Sequence, residues 1–483
     1  MRWTRRKLYR WGAVAAVVAV IFGIGAWRAM FRTVPVRWAS IEEEFKYGSI
    51  GVEPNQGVPY WLWMVLPRVF PEHLPGPGGW AALGLTWEEG AELPVGFSKL
   101  TVGFPRVGIN CALCHTATWR ATPEGERHLV EAGNTSTVDV QAYQRFLVKC
   151  AKDPRFTADV LMPQITYVTR LSAADQALYR NVLIPQTRSA LLALGEAAEW
   201  MDSRPDWGPG RVDPFNPVKF GMLGRPVDGT IGNSDMMAIW DLQQRQGKDL
   251  HWDGLQSSIH EVVLSSALGD GASRVSIPLD ALDRVEDWLL EVPAPAHPFP
   301  VDRAKAARGG QVYGAAGCAG CHGRPGDWTA RLVPVAAPGE PESNDRVATD
   351  DHRVKMWDQP SATTYNRYAS GYDWKLSHFK DVNAYVAAPL SGVWLRSPYL
   401  HNGSVPTLWH LLRPEQRPAV FYRGYDVYDP VQVGFRWNVA GADDRRFFRY
   451  DTSLRGNSNR GHAYGAALSE ADKDALVEYL KTL

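Results

Sequence analysis

The sequence has no excess of charge of either sign and very little cysteine. Its 483 residues contain 52 Lys and Arg against 52 Asp and Glu, and only five Cys. Nucleic-acid binding depends on a basic field that gathers phosphates, so the balanced charge argues against that class of partner. With 45% hydrophobic residues and no low-complexity tract, the chain is too apolar to be disordered. The composition therefore predicts a folded protein of two or three domains that binds no nucleic acid.

The N-terminus has the composition of an export signal. Residues 1–10 contain five basic residues and no acidic one, and an uncharged run of 17 residues extends from Trp11 to Trp27. This length is at the lower limit for a membrane-spanning helix. A cleaved signal peptide and a retained anchor both fit, but the absence of a small-x-small cleavage site and the Trp at each end favour the anchor. We therefore expect a basic cytoplasmic leader (1–10) and a transmembrane helix (11–31).

This topology predicts a single-pass inner-membrane protein whose body lies in the periplasm. If the leader is cleaved instead, the body is a secreted periplasmic protein.

Four of the five cysteines fall in two identical patterns. These are Cys111-Ala112-Leu113-Cys114-His115 and Cys318-Ala319-Gly320-Cys321-His322. C-x-x-C-H is the attachment signature of c-type haem, because two thiols on one turn reach the vinyl groups on one porphyrin edge and the next imidazole lies under the iron. Four thiolates could instead bind zinc, but zinc gives no reason for a His after both pairs. The sequence thus predicts two covalently bound haem c groups with His115 and His322 as iron ligands.

A Pro-rich stretch at residues 293–298 separates the two motifs and predicts a domain boundary. We expect an N-terminal haem domain (35–297) and a C-terminal haem domain (298–483). Strand signals are few, and 44 Gly and 34 Pro predict many long loops. The expected fold is therefore mainly α, with two cytochrome-c-like haem domains and long irregular loops after one N-terminal transmembrane helix.

Local patterns predict several helices. Asp302 is placed to cap a helix that leads to the second motif, and Ser469 with Asp472 resembles a capping box that opens the last helix. Cys150 lies on an apolar helical face, so we expect a buried, inert thiol. Four apolar residues recur at helical spacing before the boundary: Leu279, Leu282, Val285 and Leu289.

The sixth ligand of each iron decides what each haem can do. An iron held by two protein ligands transfers electrons, whereas an iron with an open face binds oxygen or peroxide. No Met lies beyond Met356, and His462 is the one His beyond His410. It lies in a Gly-rich loop (456–462) before the last helix, a location that alone does not make it a ligand.

Several segments resemble the di-haem cytochrome c peroxidase superfamily. Besides the two haem motifs, these are residues 250–254 (LHWDG) and 398–408 (PYLHNGSVPTL). Within the superfamily, residues 45–51 and 456–465 are most similar to the branch of the rubber oxygenases and related di-haem dioxygenases. The resemblance spans most of residues 45–483.

The resemblance implies roles for individual residues. His462 is similar in placement to the distal ligand of the C-terminal haem, which would make that haem a bis-His, low-spin electron relay. Trp240 precedes Trp252 by the spacing of the inter-haem Trp of the peroxidases. These enzymes place a distal acid–base Glu eight residues after the second Trp, and here that position is His260, with Glu261 beside it.

One departure from the peroxidases concerns the substrate. Where they commonly have Arg after Trp-Asp-Gly, this chain has Leu255, and an apolar distal wall suits dioxygen and an apolar substrate better than peroxide. The resemblance implies an oxidoreductase that activates dioxygen or peroxide at the N-terminal haem. Two alternatives remain: a hydrogen-peroxide reductase, and a non-enzymatic, membrane-anchored electron-transfer cytochrome.

The expected partners follow from these functions. They are O2 or H2O2, an apolar unsaturated substrate, a small electron-donor cytochrome or cupredoxin, and the membrane through the N-terminal helix. Many relatives hold a calcium ion between the two domains, and the sequence assigns no ligands to it.

Overall fold

The computed structural model describes residues 5–337, 339–442 and 444–483, apart from the side chains of residues 5–8, 22 and 25–31. The first four residues of the expected leader therefore lie outside the described residues. The α-helices of the described chain are α1 (Arg5–Phe31), α2 (Ile41–Tyr47), α3 (Glu53–Gln56), α4 (Tyr60–Val69), α5 (Val140–Lys152), α6 (Ala158–Val168), α7 (Ala173–Leu178), α8 (Ile184–Ala197), α9 (Ile259–Gly269), α10 (Leu279–Glu291), α11 (Arg303–Ala315), α12 (Cys318–His322), α13 (Gln359–Asn366), α14 (Leu408–Leu411) and α15 (Glu470–Leu480).

The strands are short and distributed along the whole chain. They are β1 (Thr33–Val34), β2 (Val58–Pro59), β3 (Phe97–Val102), β4 (Phe104–Ile109), β5 (Thr116–Trp119), β6 (His128–Glu131), β7 (Arg211–Val212), β8 (Ser234–Asp235), β9 (Gly323–Arg324), β10 (Asp327–Trp328), β11 (Leu332–Pro334), β12 (Ala384–Val386), β13 (Val420–Arg423), β14 (Tyr428–Asp429), β15 (Gly434–Phe435), β16 (Gly441–Ala442), β17 (Arg445–Arg446) and β18 (Phe448–Asp451). One antiparallel sheet has four strands in the order β1-β3-β4-β2, and the remaining strands form two-stranded ladders.

The strand content contradicts the expected fold class. The chain is 39% helical and 14% strand, so a mainly α protein made of a membrane helix and two haem domains is the wrong description. Strands of two to four residues are too short for apolar and polar residues to alternate recognisably, and many pair with partners that are distant in sequence. Sequence periodicity therefore could not reveal them.

The expected transmembrane helix is also wrong, and with it the inner-membrane localisation. Residues 5–31 form the helix α1, but among the described residues no helix has the length and hydropathy that a membrane span requires. The physical reason is that the uncharged run from Trp11 to Trp27 has 17 residues, fewer than the roughly 20 that cross a bilayer.

Local helix signals are confirmed. Leu282, Val285 and Leu289 are buried on α10. Asp302 caps α11 by accepting from two backbone amides, and Ser469 caps α15. Cys150 is fully buried on α5, and burial raises the pKa of its thiol, which keeps it protonated and inert.

Two tight packing arrangements place the haem motifs. The β3–β4 hairpin turns at Gly103, whose φ is +74°, and β4 ends one residue before the Asn110 that opens the first motif. Helix α11 leads to the second motif and packs against α15 at Gly309, where a Cβ atom would lie 2.0 Å from the Ala475 carbonyl oxygen. Only Gly permits this approach.

The regions that contain the two motifs share one apolar core. Trp119 contacts Trp394 edge-on, with ring centroids 6.0 Å apart, and Trp394 contacts Tyr428 at 5.4 Å. Trp240 and Leu476 belong to the same buried cluster. The domain boundary near residue 297 stays a prediction, and the core that crosses it brings the two motifs into one body.

Candidate functional site

The first C-x-x-C-H motif forms a capped turn at the end of β4. The side chain of Asn110 accepts a hydrogen bond from the Ala112 amide (3.0 Å) and donates to the carbonyl oxygens of Lys46 (3.2 Å) and Gly48 (2.9 Å). The amide of His115 donates to the Cys111 carbonyl (3.0 Å). This turn places both thiols and the imidazole on one short segment, as covalent haem attachment requires.

The ring of His115 has a fixed orientation. Its Nδ1 donates to the Met237 carbonyl, 2.8 Å away. Burial lowers the pKa of His115 to about 4, so the imidazole is neutral at pH 7. A neutral ring that donates through Nδ1 presents Nε2 as an acceptor, which is the form that binds a metal.

The second motif repeats this arrangement. It occupies α12 after Gly317, which has a φ of +81°. The Nδ1 of His322 donates to the Ala388 carbonyl at 2.8 Å, and burial lowers the pKa of His322. Both C-x-x-C-H histidines are therefore oriented by a backbone carbonyl.

His462 faces His322 across a short gap. Their ring centroids are 6.2 Å apart. With metal–nitrogen bonds of about 2.0–2.1 Å, two imidazoles on opposite sides of one metal have ring centroids about 6 Å apart. Burial, followed by the effect of His322, lowers the pKa of His462 to about 3. The pair thus has the separation and the neutral state of a bis-His iron site.

Polar side chains hold the loop that carries His462. The carboxylate of Glu342 accepts from the amides of His462 (2.6 Å) and Ala463 (2.7 Å). The Asn402 side chain, from the PYLHNGSVPTL segment, donates to the carbonyls of Gly456 (3.2 Å) and Ser458 (2.9 Å). The conformation is demanding, because His462 itself has a φ of +48°.

Arg417 holds the same loop from inside. It donates to the carbonyls of Asn459 (2.6 Å), Gly461 (2.7 Å) and His462 (3.0 Å). Burial lowers the pKa of Arg417 to about 10, which still leaves it charged at pH 7. A charged donor makes stronger hydrogen bonds to carbonyls than a neutral one.

Trp240 contacts the backbone segment that orients His322 and follows the one that orients His115. Its Nε1 donates to the Ser391 carbonyl (2.8 Å), three residues after Ala388, and its backbone lies three residues after Met237. Only Gly fits beside the ring, because a Cβ at Gly392 would be 2.8 Å from the indole. The structure therefore connects His115 to His322 through two short backbone segments and one indole.

Arg396 packs on this indole. Its guanidinium carbon is 5.3 Å from the Trp240 ring centre, and it donates to the carbonyls of Pro389 (2.7 Å) and Ser391 (2.6 Å). Burial lowers the pKa of Arg396 to about 9. The sequence offered no signal for this residue, because nothing in its neighbourhood along the chain marks it as buried.

The structure separates the three residues expected at the distal face of the first haem. Leu255 is 1% exposed and belongs to an apolar cluster that Cys111 contacts. His260 is on the surface of α9, and its Nδ1 is 2.8 Å from a carboxylate oxygen of Glu286. Glu261 is buried, and its partners are described next.

Five hydrogen bonds occupy the carboxylate of Glu261. It accepts from the amide and hydroxyl of Ser377 (2.8 and 2.7 Å), the amide and Nδ1 of His378 (3.0 and 2.6 Å) and the side chain of Gln256 (3.0 Å). Burial opposes its ionisation, yet these bonds lower the pKa of Glu261. Glu261 is therefore an ionised side chain that stabilises the turn at residues 377–378.

Residues 384–422 match the family described as RoxA-like, cytochrome c-like. This segment contains the Ala388 carbonyl that orients His322, together with Arg396, Asn402 and Arg417. A cytochrome-c peroxidase, IdrP1 of Denitromonas iodatirespirans, is 29% identical over 110 residues, which are 22% of this chain and 29% of that protein. Both matches support the similarity of this chain to the di-haem cytochrome c peroxidase and RoxA-like superfamily. The resemblance stated from the sequence is confirmed.

This similarity implies haem c iron as the cofactor and an oxidoreductase as the class of protein. The residues present fit haem c, since each motif offers two thiols and a neutral, carbonyl-oriented imidazole. The calcium ion stays a prediction without assigned ligands.

Two proteins of Sinorhizobium fredii (strain NBRC 101917 / NGR234) are also similar. Uncharacterized protein y4iM is 29% identical over 297 residues, 52% of this chain and 64% of that protein. Uncharacterized protein y4iJ is 43% identical over 110 residues, 21% of this chain and 18% of that protein. The chain thus covers less than two thirds of the length of each of these curated relatives.

Among solved structures, a hydrazine synthase of Kuenenia stuttgartiensis pressurized with xenon is similar at 15% identity and a TM-score of 0.29. The match covers 53% of this chain and 74% of that chain.

Proposed function

We propose that this protein binds two haem c groups and activates dioxygen or peroxide at the first, while the second relays electrons. One observation carries the proposal. His322 has a facing imidazole, His462, at the separation of a bis-His iron, whereas in the described part of the chain His115 has no ring pair of this kind. An iron with two protein ligands transfers electrons, and an iron with a free position binds small molecules.

The chain's own residues would prepare the first site. When bound, haem supplies one-electron chemistry and a position for a small molecule. The Met237 carbonyl keeps His115 in the tautomer that binds iron and makes it a better donor. Leu255 and Phe215 belong to one apolar cluster that Cys111 contacts, and such a wall excludes water. This apolar character favours dioxygen and an apolar unsaturated substrate.

Trp240 would connect the two sites. The path from His322 follows its hydrogen bond to the Ala388 carbonyl, the backbone to Ser391, and the hydrogen bond to the indole. From Trp240 the backbone leads to the Met237 carbonyl, which accepts from His115. Bonded and hydrogen-bonded contacts carry electrons over longer distances than open gaps do, so this path suits the relay.

A second function, hydrogen-peroxide reduction, is favoured by the similarity to a cytochrome-c peroxidase. It would require a small electron donor, a cytochrome or a cupredoxin. The two reactions differ in their oxidant, and the same first site would serve either.

The number of haems is the first test. Protein produced in a host that matures c-type cytochromes should retain two haems per chain in a pyridine haemochrome assay. Cys114→Ser and Cys321→Ser should each weaken attachment of one haem. Cys150→Ser is the matched control, because this buried thiol lies outside both motifs, and both haems should be retained. Fewer than two covalently bound haems in the wild type would contradict the proposal.

Spin state and turnover are the second test. Electron paramagnetic resonance of the ferric protein should show one high-spin and one low-spin haem. The reduced protein should then consume O2 with an unsaturated lipid or polyisoprenoid, or else turn over H2O2 with a reduced donor. Two low-spin signals, with neither reaction, would leave a simple electron-transfer cytochrome as the function.

A further inference from the structure

His251 occupies a constrained turn beside the first haem motif. The turn is closed by a hydrogen bond from the Leu250 amide to the Gln256 carbonyl (2.8 Å). His251 has a φ of +61°, a conformation that residues other than Gly rarely adopt. A non-Gly residue kept in this conformation must be held there by its surroundings.

Both sides of His251 are held. The indole of Trp252 donates to the Asp235 carbonyl at 2.7 Å. The carboxylate of Asp253 forms a buried ion pair with Arg353, whose Nε is 3.0 Å away. The Trp-Asp-Gly motif therefore works as a clamp that fixes the backbone of the residue before it.

The Nε2 atom of His251 is buried and has no polar partner within the protein. The imidazole ring packs edge-on against Phe215, with centroids 5.5 Å apart. Phe215 and Leu255 belong to the apolar cluster against which Cys111 packs, so His251 borders the cluster that contacts the first motif. A buried polar group without a partner is costly, so a strained backbone that presents one indicates a ligand.

The second site offers an internal comparison. His251 and His462 are the two histidines of the described chain with a positive φ, and each has a buried ring nitrogen without a partner. His115, His251, His322 and His462 are all half-buried.

The two sites differ in one respect. His462 and His322 form a ring pair at 6.2 Å, and the described chain contains no corresponding pair of His251 with His115. We propose that His251 is the distal imidazole of the first haem, positioned over the free coordination site to hydrogen-bond a small ligand there. The inference rests on the proposed function, because it requires the first haem to have a free site.

The assignment also accounts for the two residues expected at this position. Five hydrogen bonds already occupy Glu261, and His260 is on the surface beside Glu286. His251 is neutral at pH 7, because burial lowers its pKa to about 3, and a neutral imidazole has one N–H to donate.

Carbon monoxide bound to the ferrous holoprotein is the probe. A distal N–H stabilises negative charge on the oxygen of CO and lowers its stretching frequency in the infrared. We expect His251→Leu to shift this band to higher wavenumber. Cyanide affinity of the ferric first haem should fall about tenfold, the effect of losing one hydrogen bond. His251→Gln keeps a donor and should restore much of both values.

His260→Leu is the matched control, because it removes an exposed histidine nine positions away and should change neither value. If His251→Leu has normal haem content and an unchanged CO band, the inference is wrong, whereas the proposed function is unaffected. If His251→Leu does not fold, two other results would overturn the inference. One is an unshifted CO band in His251→Arg. The other is a loss of cyanide affinity that is equally large in His251→Gln and His260→Leu.

Two further outcomes are decisive. Conversion of a low-spin first haem to high-spin in His251→Leu would make His251 an axial ligand, and the inference would be wrong. A wild-type protein that binds no CO has no free site, so the proposed function would fail and the inference with it.

Discussion

One buried cation holds the loop that carries His462, and its removal is expected to loosen the distal ligand of the second haem. Arg417 donates three hydrogen bonds to the loop carbonyls of residues 459, 461 and 462. Each bond from a charged donor contributes roughly 1.5–3 kcal/mol. In Arg417→Met, which keeps most of the aliphatic stem, the closed loop should lose about 4 kcal/mol or more. This loss lowers the preference for the closed loop by roughly three orders of magnitude.

The assay is the ferric absorption and paramagnetic resonance spectrum of the holoprotein. We expect part of the second haem in Arg417→Met to become high-spin, with His462→Ala as the end point and added imidazole restoring the low-spin form. Arg413→Met is the matched control. Arg413 is also buried, but it pairs with Glu470 (2.7 Å) and Asp474 (2.8 Å) and makes no bond to the His462 loop. It should lower the melting temperature and leave the spin state unchanged.

Two results would refute the roles given to Arg417 and His462. If Arg417→Met retains the full low-spin signal at every pH and temperature at which the protein is folded, Arg417 does not hold the ligand loop. If His462→Ala also keeps that signal, His462 is not the ligand.

Three other perturbations test separate parts of the structure. Trp240→Phe keeps an aromatic ring but loses the indole donor, so inter-haem electron transfer should slow in stopped-flow experiments while both haem spectra stay constant; an unchanged rate would contradict the path. His401 is buried, and burial lowers its pKa from 6.5 to about 4. The unfolded chain therefore binds more protons between these pH values, and about 3 kcal/mol of stability is lost as pH falls from 6.5 to 4. In urea titrations at pH 7 and 4.5, His401→Gln should show a smaller loss of unfolding free energy at the lower pH than the wild type. An equal loss in both proteins would refute this role of His401. Gly96→Ala places a Cβ 2.2 Å from the Cα of Leu113 at a φ of +87°, which should cost roughly 2–5 kcal/mol and reduce haem incorporation. Gly90→Ala has a similar φ of +78° with open space around it, and normal haem content is expected there.

The distal residues show where sequence reasoning failed to reach the structure. A spacing rule from the peroxidases pointed to His260 and Glu261, because it counts residues from a Trp. Helix α9 begins at residue 259, so consecutive side chains diverge: His260 faces solvent and Glu261 faces the 377–378 turn. His251 lies within the segment 250–254, but neither its burial nor its backbone conformation could be predicted from the sequence.

The helix ends were predictable because capping is local. Asp302 and Ser469 accept from amides two or three residues away, so the residue types in order were sufficient. The short strands were not predictable, since β7 pairs with β8 more than twenty residues later and neither has room for a pattern. The error at the N-terminus has a different cause. Positive charges before an apolar run indicate an export signal, whereas a membrane-spanning helix requires both sufficient length and sufficient hydropathy.

By itself, the sequence predicted where haem would be attached, because two thiols and an imidazole within five residues are neighbours along the chain. Tertiary structure alone decided that His462 faces His322 and that the Met237 carbonyl orients His115. His462 lies 140 positions after His322, and Met237 lies 122 positions after His115, so their meeting depends on how distant segments cross. The spacing of residues along the chain decides where haem can be attached. Only the folded chain decides which side chain lies at the sixth coordination position of an iron.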